Sequence, residues 1–116
     1  MNEQKRDSYF RKLAANARAI ISYQVGLPVG CAKMEKIFYW LKYEGYEDAE
    51  SHVFKTYCDA TRELLTGSER LNCSRVALRR NDRRLVAINL KYRGQIIDAC
   101  FEIIEKYGEG KAVSAN

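Results

Sequence analysis

The feature that most constrains this chain is a long apolar stretch near its C-terminus, over residues 85–104. Two sets of apolar residues recur there at spacings of three and four, the period of an α-helix. The first stripe consists of Leu85, Ile88, Tyr92, Ile96, Ala99 and Ile103, and the second of Val86, Leu90, Ile97, Phe101 and Ile104. A helix that is apolar over so much of its circumference needs cover on two sides. We therefore expect other helices, or a partner subunit, to surround it.

This C-terminal helix is predicted over about residues 82–107, with Gly94 in its middle. Glycine costs about 1 kcal/mol there relative to alanine, which indicates the close approach of a neighbouring helix or a kink. Upstream, one continuous helix would place arginines four residues apart within residues 79–84, and each such like-charge pair is destabilising. A break at Asn81–Asp82 avoids these contacts and supplies a cap for the next helix. A β-hairpin over residues 75–90 is the alternative.

Three further helices are predicted upstream. The first runs from about residue 3 to Tyr23, where apolar residues recur at helical spacing. The second follows Pro28 and ends near Gly45, because proline suits a helix start and glycine suits a helix end. The third begins behind Asp48, which has the character of an N-cap, and ends at Gly67.

Together these segments predict an all-α fold, a compact bundle of four or five helices around a long C-terminal helix. The 116 residues fit one domain, residues 1–116, with residues 108–116 as a flexible tail. The longest apolar run, residues 37–41, is far shorter than the ~20 residues that cross a bilayer, and no apolar signal segment follows the N-terminus. We therefore expect a cytoplasmic protein without membrane contact.

The four cysteines are all at least 15 residues apart, so the chain has no C-x-x-C redox motif or zinc half-site. Three of them lie within apolar patterns, and nothing in the sequence signals secretion. We therefore expect reduced, partly buried thiols. The three are Cys31, Cys58 and Cys100.

His52 is the only histidine, so every catalytic triad or multi-histidine metal site would have to use it. Asp48 lies four residues before it, but two ligands do not make a site. Glu102 shares a predicted helical face with two other carboxylates, which we interpret as solvated, with Glu102 paired to Lys106. No catalytic residue, cofactor or metal ion is predicted.

The positive charge is concentrated in residues 69–93, which hold eight basic and two acidic residues. Residues 1–68 have a net charge of +1 and residues 94–116 of −2. Seven of the eight basic residues are arginines, and a guanidinium can bind phosphate or carboxylate through two hydrogen bonds. The candidate counterparts are nucleic acid, an acidic protein surface and the acidic C-terminal helix of a second copy. A merely solvated face is the alternative. The predicted anion contacts are Arg75, Arg79, Arg80, Arg83 and Arg84.

Aromatic residues cluster on the second predicted helix and just beyond its end. Consecutive aromatic side chains fan across more than half of a helix, so at least one must reach the surface. Tyrosine is enriched at protein interfaces because it buries area and keeps a polar tip. A tyrosine rim around the core is the alternative. The predicted interface consists of Phe38, Tyr39, Trp40, Tyr43 and Tyr46.

These features predict a small, non-catalytic helical protein that binds another protein or a second copy of itself. One alternative is a nucleic-acid-binding protein that uses the arginine-rich segment 70–93. The other is an enzyme or small-ligand binder with a pocket near Tyr39, Tyr43 and His52, for which the sequence names no small molecule.

Overall fold

The structure, a computed structural model, describes residues 3–108. The all-α prediction is confirmed, and within these residues there is no strand, so the hairpin over residues 75–90 is excluded. The elements are α1 (Glu3–Ile21), α2 (Leu27–Tyr43), α3 (Ser51–Thr61), a 3-10 helix (Ser68–Asn72) and α4 (Arg75–Tyr107). Of the predicted flexible tail, residues 109–116 lie outside the described residues. None of the described helices combines the length and the apolar character that crossing a bilayer requires.

The α1 helix buries the apolar face that its spacing predicts, including Phe10 and Leu13. Asn16 is buried beside them, and its side-chain amide donates to the carbonyl of Gly30 in α2 at 2.9 Å. The two helices lie close together at this point, since a Cβ on Gly30 would lie 2.5 Å from Cγ1 of Ile20. A glycine is therefore needed where α2 approaches α1.

The α4 helix has 33 residues, about 50 Å of helix, and the protein's longest dimension is 51 Å. Its main helical neighbours are α1 and α3, and they cover only one side of it. The first stripe supplies that side, with Ile96 and Ile103 fully buried. The predicted arrangement of helices around the C-terminal helix is therefore only roughly correct, because α4 lies along one side of the bundle.

The predicted break at Asn81–Asp82 is wrong, since α4 is continuous from Arg75. Both side chains that suggested caps are bound to the preceding loop instead. The Asn81 amide donates to the carbonyl of Leu65 at 2.9 Å and accepts from its N–H at 2.7 Å. The Asp82 carboxylate binds the Arg70 guanidinium through two contacts, of 2.6 and 3.0 Å. The cap of α4 is Ser74, which accepts a backbone hydrogen bond at 3.1 Å.

The same contacts explain why α3 ends at Thr61 and not at the predicted Gly67. The N–H of Leu64 bonds to the carbonyl of Thr61 at 2.9 Å, which closes a final tight turn. The N–H of Leu65, which would continue the helix, donates to Asn81. A long-range side chain thus ends this helix before the local glycine signal.

The prediction that Asp48 caps α3 is also wrong, because α3 begins at Ser51. The Asp48 carboxylate accepts from the N–H of Glu50 at 2.8 Å and from the hydroxyl of Tyr107, and lies 3.4 Å from the Lys106 ammonium. Its side chain is only 4% exposed. Asp48 therefore attaches the α2–α3 loop to the end of α4.

Candidate interaction surface

The outward side of α4 carries four apolar residues, Val86, Leu90, Ile97 and Phe101, which we call the α4 strip. Val86, Leu90 and Phe101 are 55%, 74% and 56% exposed, and Ile97 is partly buried beside them. At about 100° per residue the four side chains fall within roughly 60° of one another around the helix. They therefore form one narrow, largely uncovered band.

Gly94 lies next to the strip, between Leu90 and Ile97, on the side of α4 opposite the buried Ile103. A Cβ built on Gly94 would meet no atom within 4 Å. The close neighbour that this glycine suggested is therefore not supplied by the described part of the chain.

The second stripe predicted from the sequence is thus covered only in part, at Ile97 and Ile104. The signal that was missed lies just upstream. Arg79 and Arg83 continue the line of the strip toward the start of α4, and a stripe buried in the same chain would not be extended by two arginines. Leu90 thus belongs to an outward face, although periodicity alone made it a core candidate.

The five arginines predicted to contact an anion, Arg75, Arg79, Arg80, Arg83 and Arg84, are all exposed, and we call them the arginine cluster. None of them forms a salt bridge with another residue of the described range 3–108. Three of them line a shallow depression of about 220 Å³ beside Val76. The structure therefore leaves the charge of this cluster uncompensated, and its contact with an anion stays a prediction.

Three exposed carboxylates lie toward the other end of α4, on Asp98, Glu102 and Glu105. The predicted pair between Glu102 and Lys106 is not formed, because the Lys106 ammonium lies near Asp48 instead. None of the three carboxylates forms a salt bridge among the residues that the structure describes. Residues 75–93 carry seven basic and one acidic residue, whereas residues 94–107 carry one basic and three acidic residues. One half of α4 is therefore basic and the other half acidic.

Two of the five aromatic residues predicted to form an interface point into the core. Phe38 is buried, with its ring centroid 6.0 Å from that of Phe54. Tyr46 packs edge-on against Phe10 at 5.0 Å, and its hydroxyl lies 2.8 Å from that of Tyr107. These two side chains contribute to packing and leave little area for a partner.

The other three aromatic residues are divided between two sides of α2. Trp40 packs against Tyr9 at 5.6 Å, with the Lys36 ammonium 5.1 Å from its ring centroid. Tyr39 and Tyr43 are 66% and 84% exposed. The five residues therefore do not make one continuous surface, and an interface role remains a prediction for the exposed tyrosines.

An open groove of about 510 Å³ lies between α2 and the beginning of α3. Tyr39 and Tyr46 line it, together with lysines and carboxylates. Tyr43 and His52, the other two residues predicted to line a pocket here, do not line this groove. The geometry thus offers a polar cleft beside Tyr39 that lacks the imidazole on which acid–base or nucleophilic chemistry would depend.

All four cysteines are free thiols, as expected. Burial raises the pKa of Cys31 well above its ordinary value and that of Cys100 to about 12. Burial and the neighbouring Glu35 raise the pKa of Cys58 to about 12. These three thiols are therefore protonated near neutral pH, and a protonated thiol is a poor nucleophile.

Within residues 3–108, no group of three or more His, Cys, Asp or Glu side chains is placed to hold a metal ion. Asp48, the predicted companion of His52, is bound to Tyr107 and Lys106. Comparison of the chain with protein-family models, with curated proteins and with solved structures finds no match.

Proposed function

We propose that this protein is a non-catalytic interaction module that associates with a second copy of itself through the α4 strip. The observation that carries this proposal is the exposure of Val86, Leu90 and Phe101 along one line of a helix. Removing a side chain of this size from water contributes about 1.5–3 kcal/mol. Association thus offers a stabilisation that the isolated chain lacks.

The strip is a better contact surface than the exposed tyrosines. Tyr39 and Tyr43 carry hydroxyl groups that water can satisfy, whereas the strip contains no side-chain polar atom. The strip also lies on a helix whose opposite side is fixed in the core by residues such as Ile96 and Ile103. A contact surface on such a helix needs little ordering when a partner binds.

Sedimentation equilibrium over about a hundredfold concentration range tests self-association directly. We expect the apparent mass to rise from 13.4 kDa toward twice that value as concentration increases. The double variant Val86→Gln/Leu90→Gln should remain monomeric. The control Tyr39→Gln/Tyr43→Gln, which also replaces two exposed apolar residues, should associate as the wild type does.

Either of two results would contradict the proposal. The wild type could remain monomeric over the whole range. Alternatively, the tyrosine control could lose association while the strip variant keeps it, and the exposed tyrosines of α2 would then be the contact surface. Circular dichroism of each variant checks that its helices are retained.

A second candidate function, nucleic-acid binding, is favoured by the unpaired arginine cluster. Phosphates are a natural counterpart for exposed guanidinium groups. If this is correct, a duplex should be shifted in a gel at low salt, and the affinity should fall steeply as salt is added. Arg79→Gln/Arg83→Gln should reduce the salt dependence by about 0.9 per lost phosphate contact. The absence of any shift at low salt would exclude this candidate.

A further inference from the structure

We infer that two copies pair along α4 in antiparallel orientation, with a two-fold axis at the Arg93–Gly94 peptide. This inference rests on the proposed self-association and adds the orientation and register of the pair. It follows from the positions of the apolar and charged residues relative to one point on the helix.

The apolar residues of the strip are placed symmetrically about that point. In a two-fold antiparallel pair, residues equally distant from the axis on either side face each other. Leu90 and Ile97 are equally distant from the Arg93–Gly94 peptide, and so are Val86 and Phe101. Each strip residue therefore faces an apolar residue of the second copy in a single register.

Gly94 lies where the two helices would cross. It has no side chain, and the space around it is open to 4 Å. Distances between packed helices depend on the side chains at the contact, and small residues allow a closer approach. A glycine in the middle of a long helix, which is costly in a lone chain, is thus accounted for by a second α4 at this position.

The charged residues beside the strip are complementary in the same register. They lie on one flank of α4, and a two-fold axis perpendicular to the helices brings that flank of one copy against the same flank of the other. The pairs that face each other are centred within about one residue of the axis. They are Arg80 with Glu105, Arg84 with Glu102, and Lys91 with Asp98.

All six of these side chains are exposed, and none forms a salt bridge within the described part of one chain. A parallel pair would place Arg84 against Arg84 and Glu102 against Glu102, which is unfavourable. The antiparallel pair instead satisfies the basic half of each helix with the acidic half of the other. A second copy of this chain is therefore the partner whose charge pattern fits α4.

A charge-swap cycle, read by sedimentation equilibrium at low salt, tests the pairing. Arg84→Glu alone and Glu102→Arg alone should each raise the dimer Kd about tenfold, since each change disrupts two symmetric pairs. The double variant restores both pairs with exchanged charges, so its Kd should return to within about threefold of the wild-type value. Arg11→Glu, the same charge change on the exposed side of α1, should have no effect.

The possible results separate this inference from the proposal that it rests on. Weakening by both single changes and recovery in the double variant support the antiparallel pair. A dimer that Val86→Gln/Leu90→Gln abolishes but that both charge reversals leave unchanged would overturn the pairing and retain self-association. Single losses without recovery in the double variant would also overturn it. A wild type that is monomeric at every concentration would overturn both.

Discussion

Asn81 connects the basic half of α4 to the loop that follows α3, and Asn81→Ala is expected to lower the free energy of unfolding by about 2 kcal/mol. The buried amide makes two hydrogen bonds to the backbone of Leu65, of 2.7 and 2.9 Å. Each is worth about 1 kcal/mol net, and its loss leaves a partly buried backbone group without this partner. Alanine is the better helix former and returns about 0.5 kcal/mol, which leaves a loss close to 2 kcal/mol.

Urea unfolding followed by circular dichroism measures this difference, because the denaturation midpoint falls in proportion to the lost free energy. Asn72→Ala is the matched control, since Asn72 is an exposed asparagine of the neighbouring 3-10 helix. Its replacement should change stability by less than about 0.5 kcal/mol. Hydrogen exchange at the Leu65 amide supplies a local readout and should be faster in Asn81→Ala than in the control.

If Asn81→Ala and Asn72→Ala were equally stable, the account of these two hydrogen bonds would be refuted. The explanation of why α3 ends at Thr61 would then fail as well, because it depends on the same side chain. A large loss of stability with unchanged exchange at Leu65 would also contradict the reasoning, since the destabilisation would arise elsewhere.

Three other contacts give predictions with their own measurements. The pKa of Cys31 and of Cys100 is raised in the folded state, so stability is fully present below about pH 9 and is lost as the pH rises toward 12. Urea unfolding under reducing conditions should show a loss of about 3 kcal/mol per pH unit for the two thiols, and a flat profile would contradict it. Tyr107→Phe removes the hydroxyl that donates to the buried carboxylate of Asp48 and should cost about 2 kcal/mol in the same assay, with an unchanged midpoint as the contrary result. Ser74→Ala removes the cap of α4 and should cost about 1 kcal/mol, whereas Ser74→Asp should retain it.

Local patterns predicted the parts of the fold that depend on local physics. The faces of α1 and α2 follow from apolar spacing, and Gly45 adopts the positive φ of 86° that suits a helix end. The errors at Asn81 and Asp48 have a common cause. Both side chains were interpreted as local caps, but each binds a partner distant in sequence, Leu65 for Asn81 and Lys106 for Asp48. Periodicity carries no information about such contacts.

The candidate surface was predicted less well for two physical reasons. Spacing identifies an apolar stripe, but it does not say whether the same chain or a second one covers it, so Leu90 was placed with the core candidates. Consecutive aromatic side chains point in different directions around a helix, so Phe38 and Tyr39 are adjacent in sequence and yet lie on opposite sides of the surface. The arginine cluster was easier to identify, because a concentration of charge persists in any fold.

The continuity of α4 ties its two sides to one rotational phase. Inserting a single residue after Gly94 would turn everything beyond it by about 100°, and the anchored half and the outward half would then point in conflicting directions. Ile103 would have to leave the core for Phe101 to keep its place in line with Leu90. Insertions and deletions are therefore far easier to accommodate in the turns between helices than within this rod.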